Sequence, residues 1–178
     1  MIRFFGGRVM TLANGIETQD IEVWTEGSKI VFVGKPKAEE LDGKVFEREY
    51  DLKGNLLMPS FKNAHTHSAM TFLRSYADDM PLQDWLFKQI FPMEAKLDGE
   101  KVYWLTKLAI LEYLTTGCTA AFDMYFELDD YVKACIESGF RSVLCGAVSG
   151  DKSNLERLEN NYLKYNGKDP LISFMLGF

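Results

Sequence analysis

The stretch LLMPSFKNAHTH, residues 56–67, decides the fold of this 178-residue chain. Its apolar beginning has the length and composition of a buried strand, and its polar end, from Asn63 to His67, is typical of the carboxyl end of such a strand. Residues i and i+2 of a strand point to the same face. His65 and His67, the only two histidines in the sequence, are therefore expected to project together from the end of this strand.

Strands and helices alternate from Pro59 onward. The apolar runs TAAFDM, RSVLCG and LISFMLGF have strand length and are separated by helical patterns that end at Gly117 and Gly139. This alternation predicts βαβ units and a parallel sheet. A closed eight-stranded barrel takes about 250 residues, so four strands in residues 59–178 predict an α/β fold containing half of a (β/α)8 TIM barrel.

The first fifty-odd residues form a different region. Val- and Ile-rich segments separated by glycine-marked turns predict five short strands, whose buried face needs a second layer. The sequence thus predicts a small β-sandwich part over residues 1–55 and the first half of the barrel over residues 56–178. An open half-barrel would expose two sheet edges and an apolar inner face, so we expect this chain to be the N-terminal portion of a longer polypeptide.

Composition excludes several classes of protein. Twenty Lys and Arg residues against 26 Asp and Glu give a net charge of −6, which argues against nucleic acid or an anionic membrane as the partner. The N-terminus lacks the pattern of a signal peptide, and no apolar stretch approaches the roughly 18 residues of a membrane span. The three cysteines lack CxxC spacing and are expected to be free thiols. We therefore expect a cytoplasmic protein.

The histidine pair predicts a metal site. Neutral imidazoles suit Zn²⁺, Fe²⁺ or Ni²⁺, and the carboxyl ends of barrel strands are where barrel enzymes build their sites. We expect one divalent metal ion bound by His65 and His67, with zinc favoured over iron or nickel. The alternative is a pair of partly exposed loop histidines without a ligand.

The longer segment PSFKNAHTHSAMTFLRSYADDMPLQDWLFKQIFPMEAKL, residues 59–97, resembles the amidohydrolase superfamily. The resemblance is to its branch of adenosine-type deaminases, which includes S-adenosylhomocysteine/methylthioadenosine deaminases and chlorohydrolase-like enzymes. It implies a metal-dependent barrel with a composite β-sandwich, and His65 and His67 as ligands of a catalytic metal. The remaining ligands and the proton-transferring residues of the family are then expected beyond Phe178.

The resemblance also implies substrate contacts. Glu94, in FPMEAKL, matches an acidic position that contacts substrate hydroxyls in nucleoside-deaminating members, and Arg157, in NLERLENN, falls near a substrate-contacting arginine. The alternative is that both are solvated helix side chains. Gly146 stands where those members place an arginine, which argues against S-adenosylhomocysteine as substrate because a carboxylate clamp is missing.

For two features, the sequence allows both a role in the site and a purely structural role. Asp123 ends the second barrel strand, where its side chain either faces the site or caps the following turn. The aromatic residues Trp85, Phe87 and Phe91 either wall a planar ring or belong to the core.

These observations predict a metal-dependent hydrolase that deaminates a purine-type or related nitrogen heterocycle. The alternatives are another amidohydrolase reaction (a chlorohydrolase, or a guanine- or cytosine-type deaminase) and a truncated, non-catalytic binding or assembly chain. A catalytic zinc usually has three protein ligands, so the 178 residues alone are expected to be inactive. The expected partners are a small heterocyclic substrate and further copies of the same protein.

Overall fold

The computed structural model describes residues 1–13, 15–126, 128–147 and 152–177. Phe178, with which the last predicted strand ends, lies outside the described residues. The chain divides into two compact units, Met1–Pro59 and Ser60–Phe178. Within the described ranges, no helix is both long enough and apolar enough to cross a membrane.

The first unit consists of short strands in two small sheets. One sheet has the strand order β5-β4-β1-β6 and the other the order β3-β2-β7. The described elements are β1 (Ile2–Phe5), β2 (Arg8–Leu12), β3 (Gly15–Gln19), β4 (Glu22–Glu26), β5 (Lys29–Gly34), the one-turn helix α1 (Ala38–Leu41), β6 (Arg48–Asp51) and β7 (Leu56–Leu57). Strand β3 is not predicted from sequence, because a single large apolar residue, Ile16, gives no pattern of alternation; in the structure this residue is 81% exposed.

The two sheets of the first unit share an apolar groove of about 570 Å³. Residues from β1, β2, β4, β5 and β7 line it, and almost all of the lining is hydrocarbon. Of its lining residues, Val9 and Val23 are buried, whereas Ile30 is 65% exposed. The small sheets therefore bury only part of their apolar surface within this unit.

The second unit is a parallel sheet with helices in the connections. The strands are β8 (Phe61–Thr66), β9 (Cys118–Asp123), β10 (Arg141–Ala147) and β11 (Ile172–Gly177); the helices are α2 (Leu82–Asp84), α3 (Phe91–Glu94), α4 (Gly99–Thr115), α5 (Leu128–Glu137) and α6 (Lys152–Tyr165). The strand order in the sheet is β11-β10-β9-β8, and all three pairings are parallel. The predicted alternation of strands and helices and the predicted parallel sheet are confirmed.

The core of the second unit lies between the sheet and helices α4 to α6. Its buried side chains come from both layers: Ala69, Val102, Ile110, Ala121, Tyr131, Cys135, Phe140, Leu144, Leu158, Tyr165, Ile172 and Phe174. Helix α4 stops where the sequence predicts, because Gly117 adopts a φ of +84° that side-chain-bearing residues disfavour, and its N–H bonds to the Leu114 carbonyl.

One predicted helix differs in detail. The pattern predicts a regular helix from Leu82 to Ile90, but residues Trp85–Ile90 form a π-helical stretch between α2 and α3. The N–H of Phe91 bonds to the Leu86 carbonyl, five residues back. Pro92 explains the wider turns, since it has no N–H for the preceding turn and its ring crowds the carbonyl four residues earlier.

A buried polar link joins β9 to the 3₁₀ turn Ser68–Leu73 that follows β8. The Asp123 carboxylate is 1% exposed and accepts hydrogen bonds from the Ser68 N–H (3.1 Å to Oδ2) and from the Ser68 hydroxyl. Because buried carboxylates are costly unless they are paired, this link fixes how the chain leaves β8.

We expect replacement of Ser68 by alanine to lower the free energy of unfolding by about 1–3 kcal/mol, because a donor to a buried charged acceptor is lost. Urea unfolding of the purified protein measures this difference. The matched control is Ser138→Ala, directly after α5, where the hydroxyl makes no side-chain hydrogen bond within the described ranges. That change should stay within about 0.5 kcal/mol, and equal losses in the two variants would contradict the role of the link.

Candidate metal centre

His65 lies near the carboxyl end of β8, and His67 directly follows the last residue of that strand. Between them, the Thr66 hydroxyl hydrogen-bonds to the Tyr113 hydroxyl of α4 at 2.6 Å, so Thr66 points to the helix layer. Alternation along the strand then directs the two histidines to the opposite face. Their ring centroids are 5.3 Å apart and the ring planes are at 83°. The two imidazoles are therefore adjacent, as the HxH spacing predicts.

The imidazole of His67 is oriented by the chain that follows β9. Its Nδ1 lies 2.7 Å from the Met124 carbonyl oxygen, which can only accept, so Nδ1 carries the proton. The Met124 N–H in turn donates to the Thr66 carbonyl at 3.2 Å. With Nδ1 occupied, Nε2 of His67 keeps its lone pair, which is the arrangement that metal-binding histidines use.

The donor set fits part of a metal site. Two neighbouring imidazoles, one of them oriented through a backbone carbonyl, match the ligands of zinc and related divalent ions. Within the described ranges no group of three or more His, Cys, Asp or Glu side chains could hold a metal ion. His65 and His67 are thus the metal-ligand candidates that the second unit brings together, one fewer than the three protein ligands of a catalytic zinc.

Asp123 does not join the histidines. It lies on the helix-facing side of β9 with Ala121 and bonds to Ser68, which corrects both interpretations that the sequence left open. Burial raises the pKa of the Asp123 carboxyl, while the hydrogen bonds from Ser68 act in the opposite direction. Its place in the core follows from its position in the β9 pleat, which a strand-end aspartate does not reveal in sequence.

Glu94 shares a pocket with His67. The pocket has a volume of about 280 Å³ and is lined by His67, Met70, Trp85, Leu86, Ile90, Phe91, Glu94, Met124, Tyr125 and Phe126. Burial raises the pKa of the half-buried Glu94 carboxyl, and the Tyr125 hydroxyl and His67 act against that increase. The pocket therefore combines one imidazole and one carboxylate with walls that are mainly apolar. His65 stands outside its lining.

The aromatic residues that the sequence singled out separate into two groups. Trp85 and Phe91 line the pocket, whereas Phe87 is 63% exposed and contacts the edge of Phe91 with ring centroids 5.3 Å apart. The π-helical stretch that begins at Trp85 thus supplies part of the pocket wall, and π-helical turns often occur at functional sites.

No sequence motif marks Tyr125, which the structure adds to the candidate site. Its hydroxyl is buried and, among the described residues, finds no hydrogen-bond partner of acceptable geometry. The signal that could have identified it is its place two residues after β9, at the same edge of the sheet as His67. Burial and the Glu94 charge raise the pKa of the Tyr125 hydroxyl. The phenol therefore stays protonated and can donate a hydrogen bond.

Arg157 and Gly146 are not among the residues that line this pocket. Arg157 is exposed on α6 and is absent from the pocket lining, so its substrate contact stays a prediction. Gly146 lies within β10, and a Cβ there would collide with Leu158 and approach Phe174 Cζ to 2.9 Å. A side chain at residue 146 would therefore enter the helix-facing core, so glycine at this position does not argue for or against a substrate carboxylate.

Comparison with known proteins places this geometry in context. A family model described as "Amidohydrolase family" matches residues 56–168. The chain is 43% identical over 136 residues to the 5-methylthioadenosine/S-adenosylhomocysteine deaminase of Desulfitobacterium hafniense (strain DSM 10664 / DCB-2), which covers 76% of this chain and 31% of that protein. It is 52% identical over 108 residues to the 5'-deoxyadenosine deaminase of Methanospirillum hungatei, covering 60% and 24% respectively.

The crystal structure of an adenosine deaminase from Xanthomonas campestris, solved with bound zinc, superposes with a TM-score of 0.86 at 30% identity and covers 98% of this chain and 42% of that one. The chain thus spans about a third of the length of the first of these relatives. Since the family model matches more than half of its residues, the chain belongs to the amidohydrolase family.

Proposed function

We propose that this chain supplies the first two ligands and part of the substrate pocket of a metal-dependent aminohydrolase that deaminates a purine-type ring or a related nitrogen heterocycle. One observation carries the proposal. His67, oriented through Nδ1 by the Met124 carbonyl, stands beside His65 and lines the same pocket as Glu94. The similarity to deaminases of methylthioadenosine and 5'-deoxyadenosine supports the choice of reaction.

His65 and His67 would hold the metal, for which zinc is the first choice and iron or nickel the alternatives. A bound divalent metal lowers the pKa of water from about 15.7 towards 7 and so supplies hydroxide for hydrolysis at neutral pH. The contribution of this chain is geometric: the Met124 carbonyl holds His67 in one tautomer and one orientation. The bound zinc of the similar Xanthomonas protein supports the choice of metal.

The pocket beside His67 would receive the substrate. Its mainly apolar walls, which include Trp85 and Phe91, suit the faces of a planar ring, and Glu94 offers a carboxylate acceptor to ligand hydroxyls. We assign Glu94 to the sugar hydroxyls of a nucleoside, and we retain Arg157 as a second candidate substrate contact.

The same proposal covers the architecture. The four parallel strands would be the first half of a (β/α)8 barrel, and residues 1–55 part of a composite β-sandwich, with the barrel half over residues 56–178. Because two ligands are fewer than a catalytic zinc needs, the further ligands and proton-transferring residues are expected outside the 178 residues. The proposed activity is accordingly that of the intact natural polypeptide that carries these residues.

The alternative reactions are less well supported. The sequence kept other amidohydrolase chemistry open because Gly146 replaces an arginine, but a side chain at that position would point into the core of the second unit. A non-catalytic role predicts a protein that retains no metal, and the following measurement separates it from the enzyme.

We expect His67→Ala and His65→Ala each to reduce the metal bound per chain at least about 10-fold after dialysis, because each change removes a ligand from the first shell. Elemental analysis of the intact protein measures the metal. Lys62→Ala, an exposed position of the same strand, is the control and should retain the wild-type content. Full metal retention in both histidine variants would refute the ligand assignment.

We expect Glu94→Gln to raise the KM for adenosine about 10-fold or more, since a hydrogen bond between a hydroxyl and a charged acceptor contributes about 1.5–3 kcal/mol. Adenine, which has no sugar hydroxyls, should show little change, so steady-state assays with the two substrates isolate the sugar contact. Glu100→Gln, at the exposed start of α4, is the control. Equal losses for adenosine and adenine would show that Glu94 does not act on the sugar.

A further inference from the structure

The Tyr125 hydroxyl is an unused donor beside the proposed substrate contact. It is buried and, within the described ranges, has no hydrogen-bond partner of acceptable geometry. Leaving a buried hydroxyl unpaired costs about 1–3 kcal/mol, and each such group in a native structure calls for an explanation. A hydrogen-bond acceptor close to this hydroxyl is therefore its expected partner when the site is occupied.

The neighbouring acceptor is the Glu94 carboxylate. The two side chains line one pocket and stand within hydrogen-bonding reach of each other: the hydroxyl lowers the pKa of Glu94, and the charge and hydrogen-bonding capacity of the carboxylate raise the pKa of Tyr125. Asp123 and His67 are the other charged or titratable groups that act on this pair. A protonated phenol and an acceptor-only carboxylate are complementary, and only alignment separates them from a hydrogen bond.

The Tyr125 ring is held firmly in place. It stacks on Phe126 with ring centroids 4.4 Å apart and planes at 19°, and it packs against the core of the second unit. Glu94, by contrast, lies at the last residue of the short helix α3 and has a more flexible side chain. Closure of the hydrogen bond therefore requires movement of the carboxylate towards a fixed hydroxyl. Polar contacts of a site are often poorly aligned without ligand and tighten in the complex.

We propose that Tyr125 is a positioning residue for Glu94, which completes a hydrogen bond to one carboxylate oxygen when a ribosyl ligand binds and so directs the other oxygen to the ligand hydroxyls. The inference rests on the proposed function, since it assumes that Glu94 accepts from a sugar. On this assignment the effect of the hydroxyl on the ligand passes through Glu94.

Binding measurements with unreactive probes test the inference. The probes are inosine and hypoxanthine, which share the base and differ in the sugar, and the method is titration calorimetry on the intact, metal-loaded protein. The variants are Tyr125→Phe, Glu94→Gln and the double variant, with the exposed Tyr76→Phe as the matched control. Because phenylalanine keeps the ring that stacks on Phe126, the fold is preserved, and thermal unfolding of each unliganded variant checks this.

We expect Tyr125→Phe to weaken inosine binding about 10-fold and to leave hypoxanthine binding unchanged. In the Glu94→Gln background the same change should have no further effect, because the residue through which Tyr125 acts is already altered. The unliganded variant should unfold at the wild-type temperature or above it, since the change removes a buried hydroxyl that lacks a well-aligned hydrogen bond.

Other outcomes overturn the inference. An unchanged inosine affinity, an equal loss for both probes, or a loss that adds fully to that of Glu94→Gln would each show that Tyr125 does not act through Glu94. A clearly lower unfolding temperature would mean that the hydroxyl is structural. If the wild-type protein binds hypoxanthine and inosine equally, the sugar contact in the proposed function fails as well.

Discussion

The hydrogen bond between His67 Nδ1 and the Met124 carbonyl is the contact on which the candidate site depends. It joins the end of β8 to the chain that leaves β9, and the Met124 N–H returns a bond to Thr66. Two parallel strands that are 57 residues apart in sequence are thus joined by two hydrogen bonds at their carboxyl ends. The buried bond of Asp123 to Ser68 reinforces this joint from the other face of the sheet. Imidazole orientation, strand pairing and the first turn after β8 are therefore fixed together.

The parts of the site that could be predicted from sequence are those with a local cause. The adjacency of His65 and His67 follows from the two-residue repeat of a strand, and the end of α4 follows from the freedom of Gly117 at positive φ. The parallel sheet follows from the alternation of apolar runs with helical patterns. Each of these features is decided within a few residues of the chain, where spacing alone carries the information.

The features that sequence did not predict depend on contacts between distant segments. Asp123 could not be placed because its carboxylate is held by Ser68, which lies 55 residues earlier in the chain. The role of Tyr125 depends on Glu94, 31 residues earlier and in another element. The same holds for Gly146. A side chain at this position would meet Leu158 and Phe174, two contacts that the local sequence does not reveal.

The π-helical turns before α3 set the angle at which that short helix presents its side chains. Each α-helical residue advances the helix by about 100°, so the additional residue accommodated between Trp85 and Ile90 rotates everything after it by about that amount. This rotation of α3 directs the Glu94 side chain towards the pocket that it lines. A one-residue deletion in this stretch would hardly change its hydrophobic content, but it would rotate α3 and turn the Glu94 carboxylate away from the pocket. Insertions or deletions here would therefore change ligand preference while the fold of the second unit is kept.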